Sequence, residues 1–362
     1  VYLGRFFGLD CEYPDAVHDF LTPLSRQICV TASGRSSLAG GAVFSDLPAN
    51  ILGSFIMGLM TNLKPDIWPP LPILHRDHPL QRNSAFQFGI KTGMCGSLTT
   101  FASWNTQMVV MVNGIHTELH SQVTAAFFGY FLGLVSSISS YIFGTHISAW
   151  LNGWRSQTNR EDELQVTTVN KERSTEFPPP RIVVYPNLGP CRPWHFLCGF
   201  VVSGKKVPFL IMFVLLALFV IGDVVSGIPF YRFMWMSSIL TPAGALLRWK
   251  LSSWNRLPIG DQYQWIPWGT LAANVIGSVV SALILALELR YAAKTDSSII
   301  ALFSAIRVGF AGSLSTVSTF VKELVDLSYK FPLQAKAYYY GSVTFVLAML
   351  LSFLTFSSIV RL

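Results

Sequence analysis

One eight-residue motif occurs twice in the chain, as GMCGSLTT at residues 93–100 and as GFAGSLST at residues 309–316. Each copy lies within a long apolar stretch and is preceded two positions earlier by a base, Lys91 in the first copy and Arg307 in the second. Glycine and hydroxyl groups in the middle of a membrane helix are costly unless they line a wet cavity or bind an ion. The doubled motif therefore predicts two broken membrane helices with functional polar centres.

The composition supports a membrane protein. Of 362 residues, 51% are hydrophobic and only 12% are charged, against roughly 25% charged residues in soluble domains. The net charge of +7 is not arranged as a basic stripe with interleaved aromatic residues, so positive membrane-flanking loops explain it better than a nucleic-acid partner. Five cysteines without a CxxC pair disfavour a disulfide scaffold or a zinc ribbon.

The apolar pattern predicts an all-α polytopic membrane protein, because each spanning helix needs about 20 mostly apolar residues. A charged, proline-bearing stretch at 150–206 predicts a solvated linker between the spans. The predicted spans are 46–63, 86–112, 121–144, 207–226, 230–249, 266–289, 298–323 and 335–359.

The order of the spans repeats. NILGS at 50–54 matches NVIGS at 274–278, and the two glycine motifs align without a gap. We therefore expect a first repeat at 1–149 with an apparently truncated first helix, a linker with a connecting transmembrane helix at 150–229, and a second repeat at 230–362. Arg5 and Arg248 match as the basic ends of the first helices.

Two four-helix units joined by a single extra span have opposite orientations in the membrane. Inverted-topology repeats of this kind place a shared site near the bilayer midplane, between the repeats. Lys and Arg are concentrated in the loops on the side of the linker. The positive-inside rule then predicts a cytoplasmic linker and an outside C-terminus. We further expect a plasma-membrane location.

No motif supports an enzyme or an organic cofactor. GFVVSGKK at 199–206 has Lys where a phosphate loop needs Ser or Thr, and HTELH at 116–120 lies in a short loop between spans. The spans instead offer neutral amides and hydroxyls, which favour a small permeant ion over a proton relay. Amide and hydroxyl donors, with the two bases near the motifs, favour an anion.

The paired motifs resemble those of the Fluc/CrcB fluoride channels. In that family a broken third helix carries Gly-Phe-x-Gly-Gly-x-Thr-Thr-Phe-Ser-Thr-Phe, and the second helix carries Gly-Thr-Leu-x-x-Asn-x-x-Gly-Ser. Here the second repeat has GFAGSLSTVSTF at 309–320 and GTLAANVIGS at 269–278, and the first has GMCGSLTTFASW at 93–104 and DLPANILGS at 46–54. Two such units fused through one extra helix resemble the eukaryotic fluoride exporters of this family.

The resemblance implies passive, selective fluoride export by one chain that acts as a pseudo-dimer in the lipid bilayer. It also implies a structural sodium ion, held at the third-helix breaks by backbone carbonyls around Gly96 and Ser97 and around Gly312 and Ser313. The helix-end bases are Arg5, Arg248, Lys91 and Arg307. The implied pore-lining residues are Asn50, Asn274, Phe101, Phe320, Ser318, Thr319, Ser103, Trp104 and Glu323.

Departures from the family pattern predict that only one pore conducts. The first motif phenylalanine is kept as Phe101 but replaced by Val317, and the second is kept as Phe320 but replaced by Trp104. If each pore combines the first position of one repeat with the second position of the other, Phe101 and Phe320 form the intact pore. Glu323 has no acidic counterpart in the first repeat, where Gln107 occupies its position.

Two alternatives remain at this stage: an inverted-repeat secondary transporter of another small anion or a coupled cation, and a structural membrane protein. A carrier predicts saturable flux that depends on a second ion, and a structural protein predicts no flux.

Overall fold

A computed structural model describes residues 44, 46–61, 71, 78–81, 83–113, 123–173, 207–225, 229–256, 263–291, 297–329 and 334–360. Within these residues the secondary structure is helical, with no strand. The predicted first helix of the first repeat, including Arg5, lies outside the described residues.

The described part of the first repeat consists of four helices of 4–13 residues, followed by one long helix. A 3-10 turn covers Pro79–Gln81, and a π-helical segment, Gly89–Met94, joins α2 to α3. Asn83 starts α2 by accepting a hydrogen bond from the amide of Phe86 at 3.0 Å. The helices are α1 (Leu47–Leu59), α2 (Ser84–Phe88), α3 (Cys95–Leu98), α4 (Phe101–Asn113) and α5 (Val123–Arg173).

The connecting helix and the second repeat follow the same pattern. A 3-10 turn covers Ser252–Arg256, and a second π-helical segment covers Ile306–Ala311. The helices are α6 (Val207–Val225), α7 (Pro229–Leu251), α8 (Trp268–Tyr291), α9 (Ser297–Ala305), α10 (Gly312–Leu314), α11 (Val317–Ser328) and α12 (Gln334–Val360).

The described helices confirm an all-α polytopic membrane protein. Two shorter helices, Leu47–Leu59 and Phe213–Gly222, are also apolar. Four helices in the described part of the chain are long and apolar enough to cross a bilayer: Val123–Trp154, Trp268–Tyr291, Ser298–Ser328 and Ala335–Val360.

Helix α5 is longer than the predicted span at 121–144, because it continues to Arg173. The first part of the predicted linker is therefore helical rather than a loop. No glycine or proline lies between Gly153 and Pro178, so nothing in this stretch interrupts the helical hydrogen bonding. The rest of the predicted linker, 174–206, lies outside the described residues.

Helices of each repeat pack against helices of the other repeat. Helix α4 of the first repeat packs against α8 and α12 of the second, while α11 of the second packs against α1 and α5 of the first. Along α12, Tyr340 bonds Glu323 in α11, whereas Ser352 and Ser357 bond Asn105 and Asn113 in α4. Helices α4 and α11 therefore leave their breaks toward opposite ends of α12. This is the arrangement that inverted repeats predict.

Close contact between α1 and α5 depends on glycine. A Cβ on Gly58 would approach the carbonyl carbon of Tyr141 to 2.9 Å, and one on Gly144 would approach the amide nitrogen of Leu59 to 2.8 Å. Only glycine at both positions lets the two backbones touch, as in other small-residue membrane contacts.

Candidate ion pathway

The third helix of each repeat is broken, but the breaks lie three residues beyond the predicted positions. Thr99 has φ −97° and ψ 138°, and Ser315 has φ −83° and ψ 161°. The predicted break residues Gly96 and Ser97 lie inside α3, and Gly312 and Ser313 lie inside α10. Each break therefore lies just past the predicted glycine and serine, because hydroxyl and amide side chains of other segments replace the backbone hydrogen bonds only after these residues. That the carbonyls of these residues hold a sodium ion stays a prediction.

A buried asparagine bridges each break. The side-chain carbonyl of Asn50 accepts a bond from the amide of Thr100 at 2.8 Å, and its NH₂ group donates to the carbonyl of Thr100 at 3.2 Å. Asn274 makes the same two bonds to Thr316, at 2.8 and 3.2 Å. Each asparagine thus substitutes for a peptide group, and these bonds use one of the two N–H groups of each amide.

Each repeat caps the helix of the other. The Thr99 hydroxyl accepts bonds from the backbone amides of Val317 and Ser318 at the start of α11, both at 3.1 Å. The hydroxyl of Ser315, at the matching position, accepts a bond from the amide of Ala102 at the start of α4, at 2.9 Å. The two breaks therefore meet at one crossing, and each supplies the N-terminal cap of the other repeat's helix.

Aromatic rings form a buried cluster beside the crossing. The rings of Phe101 and Phe320 contact each other edge to face, with centroids 5.7 Å apart and planes at 73°. Phe345 of α12 contacts both, at 5.3 and 5.6 Å. The structure thus brings together the two phenylalanines that the sequence comparison pairs, one from each repeat.

The two motif positions without phenylalanine hold Trp104 and Val317. Phe44 stacks on Trp104 with centroids 5.3 Å apart and planes at 10°, and the indole N–H donates to the carbonyl of Gly129 at 3.3 Å. The absence of a side chain at Gly133 makes room for the indole, since a Cβ there would approach Trp104 Cε2 to 2.6 Å. Val317 is fully buried and lacks the ring that Phe101 provides.

Glu323, which is half-buried, is the centre of a polar site next to Phe320, where its partners Thr270 and Tyr340 are buried. Its carboxylate accepts bonds from the hydroxyl of Thr270 at 2.6 Å, the hydroxyl of Tyr340 at 2.8 Å and the amide of Asn255 at 3.4 Å. Tyr340 also contacts the ring of Phe320, with centroids 5.4 Å apart. We call Glu323, Thr270 and Tyr340 the acidic site.

The first repeat also has a carboxylate beside its third helix, but it contacts Ser103, which aligns with Thr319 and lies one turn before the position of Glu323. The Ser103 hydroxyl in α4 donates to Asp46, which precedes α1. Counting back four residues from each bridging asparagine shows that Asp46 occupies the position of Thr270. In the second repeat the acid is on the third helix, and in the first it is on the second helix.

The predicted hydroxyls Ser318 and Thr319 lie at the start of α11. The Ser318 hydroxyl accepts a bond from the Thr99 hydroxyl at 3.1 Å, and the Thr319 hydroxyl accepts one from the Thr316 hydroxyl at 3.3 Å. Both therefore belong to the hydroxyl network of the crossing.

The basic residues do not form one cluster. Arg307 pairs with Glu288 at 3.1 Å, so its charge is balanced locally, and Lys91 lies in the first π-helical segment. Arg248 is buried, 5% exposed, and donates to the carbonyl of Thr92 at 2.9 Å and the hydroxyl of Ser97 at 3.2 Å. Arg248 thus lies in the last turn of α7, as predicted, and there it takes part in the contact between the repeats.

Several polar residues beside the pathway were missed by sequence reasoning. Thr270 lies within the quoted GTLAAN segment, and its position four residues before Asn274 is the signal that would have identified it. Tyr340, Asn105 and Tyr130 have no such signal, because their partners lie on distant segments. Among the described residues, no group of three or more His, Cys, Asp or Glu side chains is placed to hold a metal ion.

The model of the CrcB-like protein family, described as Camphor Resistance (CrcB), matches residues 21–145 and 235–356, which is more than half of the chain. The chain belongs to the CrcB-like family. The two matched stretches show that the family unit occurs twice.

Curated relatives that the chain matches carry the name of fluoride-specific ion channels. FluC 1 of Parasynechococcus marenigrum is 45% identical over 78 residues, covering 20% of this chain and 58% of the relative. FluC of Trichlorobacter lovleyi is 37% identical over 90 residues, covering 25% and 66%. FluC of Chromobacterium violaceum is 36% identical over 100 residues, covering 26% and 71%. The chain thus spans 58% and 66% of the length of the first two relatives. No solved structure matches the chain.

Proposed function

We propose that the protein is a passive, fluoride-selective export channel that protects its cell from fluoride. The observation that carries the proposal is the edge contact between Phe101 and Phe320 next to the acidic site, in a chain that matches the CrcB-like family twice. The names of the relatives support fluoride as the ion.

The chemistry of the route suits a small dehydrated anion. The edge of an aromatic ring carries positive potential, and perpendicular rings direct an edge toward a passing ion. The hydroxyls of Thr270 and Tyr340 lie on one side of this pair and donate to Glu323, which holds that side chain beside Phe320. Fluoride, being small, makes closer contacts to donors in such a route than chloride does. Selectivity then follows from a narrow route lined by few, short donors.

We propose that only one route conducts. The matching positions of the other route hold Val317 and Trp104, and Phe44 covers the indole face. These features favour conduction past Phe101 and Phe320.

The carbonyls of the crossing support the proposal of a structural sodium ion. In an unbroken helix the amides of Thr100 and Thr316 would donate to the carbonyls of Gly96 and Gly312, but both donate to asparagine side chains instead. Helices α3 and α10 pack against each other, so carbonyls from both repeats approach one crossing. We propose that Gly96 and Gly312 hold the ion, with Ser97 and Ser313 beside them. Bound sodium would satisfy these oxygens and hold the repeats together.

We further propose a plasma-membrane protein with a cytoplasmic linker and an outside C-terminus, acting as a monomeric pseudo-dimer. An inside-negative potential drives an anion outward with about 2.3 kcal/mol per charge per 100 mV. External acid delivers HF, which dissociates inside, so export needs neither ATP nor a coupled ion.

The test is ion efflux from proteoliposomes that contain the purified full chain. We expect rapid fluoride efflux that needs only a counter-ion shunt, with chloride efflux near that of protein-free vesicles. Equal permeation of both ions would contradict fluoride selectivity. Saturable flux that depends on a second ion would instead support the transporter alternative, and no flux would support a structural role.

A further inference from the structure

A second polar cluster lies on the far side of the aromatic rings from the acidic site. The side chain of Asn105 in α4 is fully buried. Its NH₂ group donates to the hydroxyl of Ser352 at 3.1 Å and to the carbonyl of Ala348 at 3.4 Å, both on α12. The hydroxyl of Tyr130 in α5 donates to the Asn105 carbonyl at 2.6 Å. Three helices from both repeats thus converge on one amide.

The cluster lies in line with the proposed route. Asn105 is one helical turn beyond Phe101 on α4, and Ser352 is three turns beyond Tyr340 on α12. The ring of Phe345 contacts the rings of Phe101 and of Tyr130, at 5.3 and 5.0 Å. An ion that passes the rings from the acidic site therefore meets Asn105 next.

Tyr130 fixes the direction of the Asn105 amide. Because the phenolic O–H donates to the amide oxygen, the NH₂ group must face α12. Its 3.4 Å bond to the Ala348 carbonyl is at the long limit of a hydrogen bond, so an anion can replace it at little cost. Ser352 accepts from Asn105, which leaves its own hydrogen available to the same anion.

We propose that Asn105 is a specificity-determining donor for fluoride at the exit from the aromatic rings, with Tyr130 as the positioning residue. This inference rests on the proposed function. The Asn105 amide and the Ser352 hydroxyl provide two neutral donors at the point where the ion has passed the acidic site and the aromatic rings. Neutral donors replace lost water without trapping the ion, as conduction requires.

The test compares Asn105→Ala with Thr106→Val in the same proteoliposome assay. Thr106 is the matched control, because it is the next residue on α4, is buried, and donates to Ser281 on α8 at 2.9 Å, away from the rings. We expect Asn105→Ala to reduce fluoride efflux by roughly tenfold, as for a lost hydrogen bond to a charged group, and to lower the fluoride-to-chloride ratio. Thr106→Val should leave the ratio unchanged.

Tyr130→Phe keeps the ring and removes only the hydroxyl, so it tests the inference even if Asn105→Ala does not fold. We expect a smaller loss of efflux together with a lower fluoride-to-chloride ratio, which a purely structural role of Tyr130 would not change. A folded Asn105→Ala or Tyr130→Phe protein with wild-type efflux and ratio would overturn this inference while the wild-type channel still conducts fluoride. If the wild-type protein itself conducts no fluoride, the proposed function fails instead.

Discussion

At the scale of single residues, Glu323 depends on partners from three other parts of the fold. Thr270 comes from α8, Tyr340 from α12 and Asn255 from the 3-10 turn after α7. A buried carboxylate is tolerated only when its oxygens accept enough hydrogen bonds. The acidic site is therefore a structural link between these segments as well as a part of the proposed route.

Replacing Thr270 by Val should destabilise the protein, because it removes the 2.6 Å donor and leaves a carboxylate oxygen poorly satisfied. We expect a loss of about 1–3 kcal/mol in the free energy of unfolding, measured by thermal unfolding in detergent. Thr270→Ser keeps the hydroxyl and should stay close to the wild type.

Thr145→Val is the matched control for Thr270→Val. Thr145 is also buried, but its hydroxyl donates to the carbonyl of Ile142 within its own helix, a bond that contributes little to folding. Equal destabilisation by the two valine variants would show that the carboxylate does not need the Thr270 hydroxyl.

The sequence predicts Glu323 but not the rest of the acidic site. Glu323 follows the family motif at a fixed distance, so its position is visible in one stretch of chain. Thr270 and Tyr340 precede and follow it by 53 and 17 residues, and their contact depends on how the helices pack. Asn50 and Asn274 were predicted as pore donors, whereas the structure uses their amides to bridge the breaks.

At the scale of helices, the exchange of caps ties the two repeats together. The Thr99 hydroxyl satisfies two amides at the start of α11, and the Ser315 hydroxyl satisfies one at the start of α4. A helix start buried in a membrane protein has no water to replace a lost cap. Each repeat therefore depends on the other to fold its third helix.

Thr99→Val should destabilise the protein more than Ser315→Ala does, because it removes two capping bonds rather than one. The expected loss for Thr99→Val is about 1–2 kcal/mol, measured by thermal unfolding, and Thr99→Ser should restore most of it. A larger loss from Ser315→Ala would contradict the unequal roles of the two caps.

The same exchange of caps explains why the sequence alone does not show at which residue each third helix breaks. Gly96 and Gly312 lower the helix propensity at these positions. A helix nevertheless continues until other polar groups replace its backbone hydrogen bonds. Those groups lie in distant segments: Asn50 reaches Thr100 across 50 residues, and Ser315 reaches Ala102 across 213 residues. Only the packed structure fixes the position of each break.

At the scale of the whole molecule, the scaffold is symmetric but the routes beside it are not. The bridging asparagines and the exchanged caps repeat in both halves. Around them the motif aromatics have diverged, and the carboxylates differ in position: Glu323 lies on the third helix of the second repeat, and Asp46 precedes the second-helix segment α1 of the first. The repeated elements hold the crossing together, so the sequence beside one route was free to change without loss of the fold.

This division predicts unequal effects of aromatic substitutions on fluoride efflux. Phe101→Ile and Phe320→Ile each remove a ring from the edge contact, worth about 0.5–1.5 kcal/mol, and should slow efflux by up to roughly tenfold. Trp104→Phe keeps an aromatic ring against both Phe44 and Phe101, whose centroids lie 5.3 and 5.6 Å from the indole, so its efflux should stay near that of the wild type. All four proteins are compared in proteoliposomes at equal protein content, with monodispersity in detergent as the folding control. Comparable losses of efflux from all three variants would mean that both routes conduct, or that the rings act only by packing.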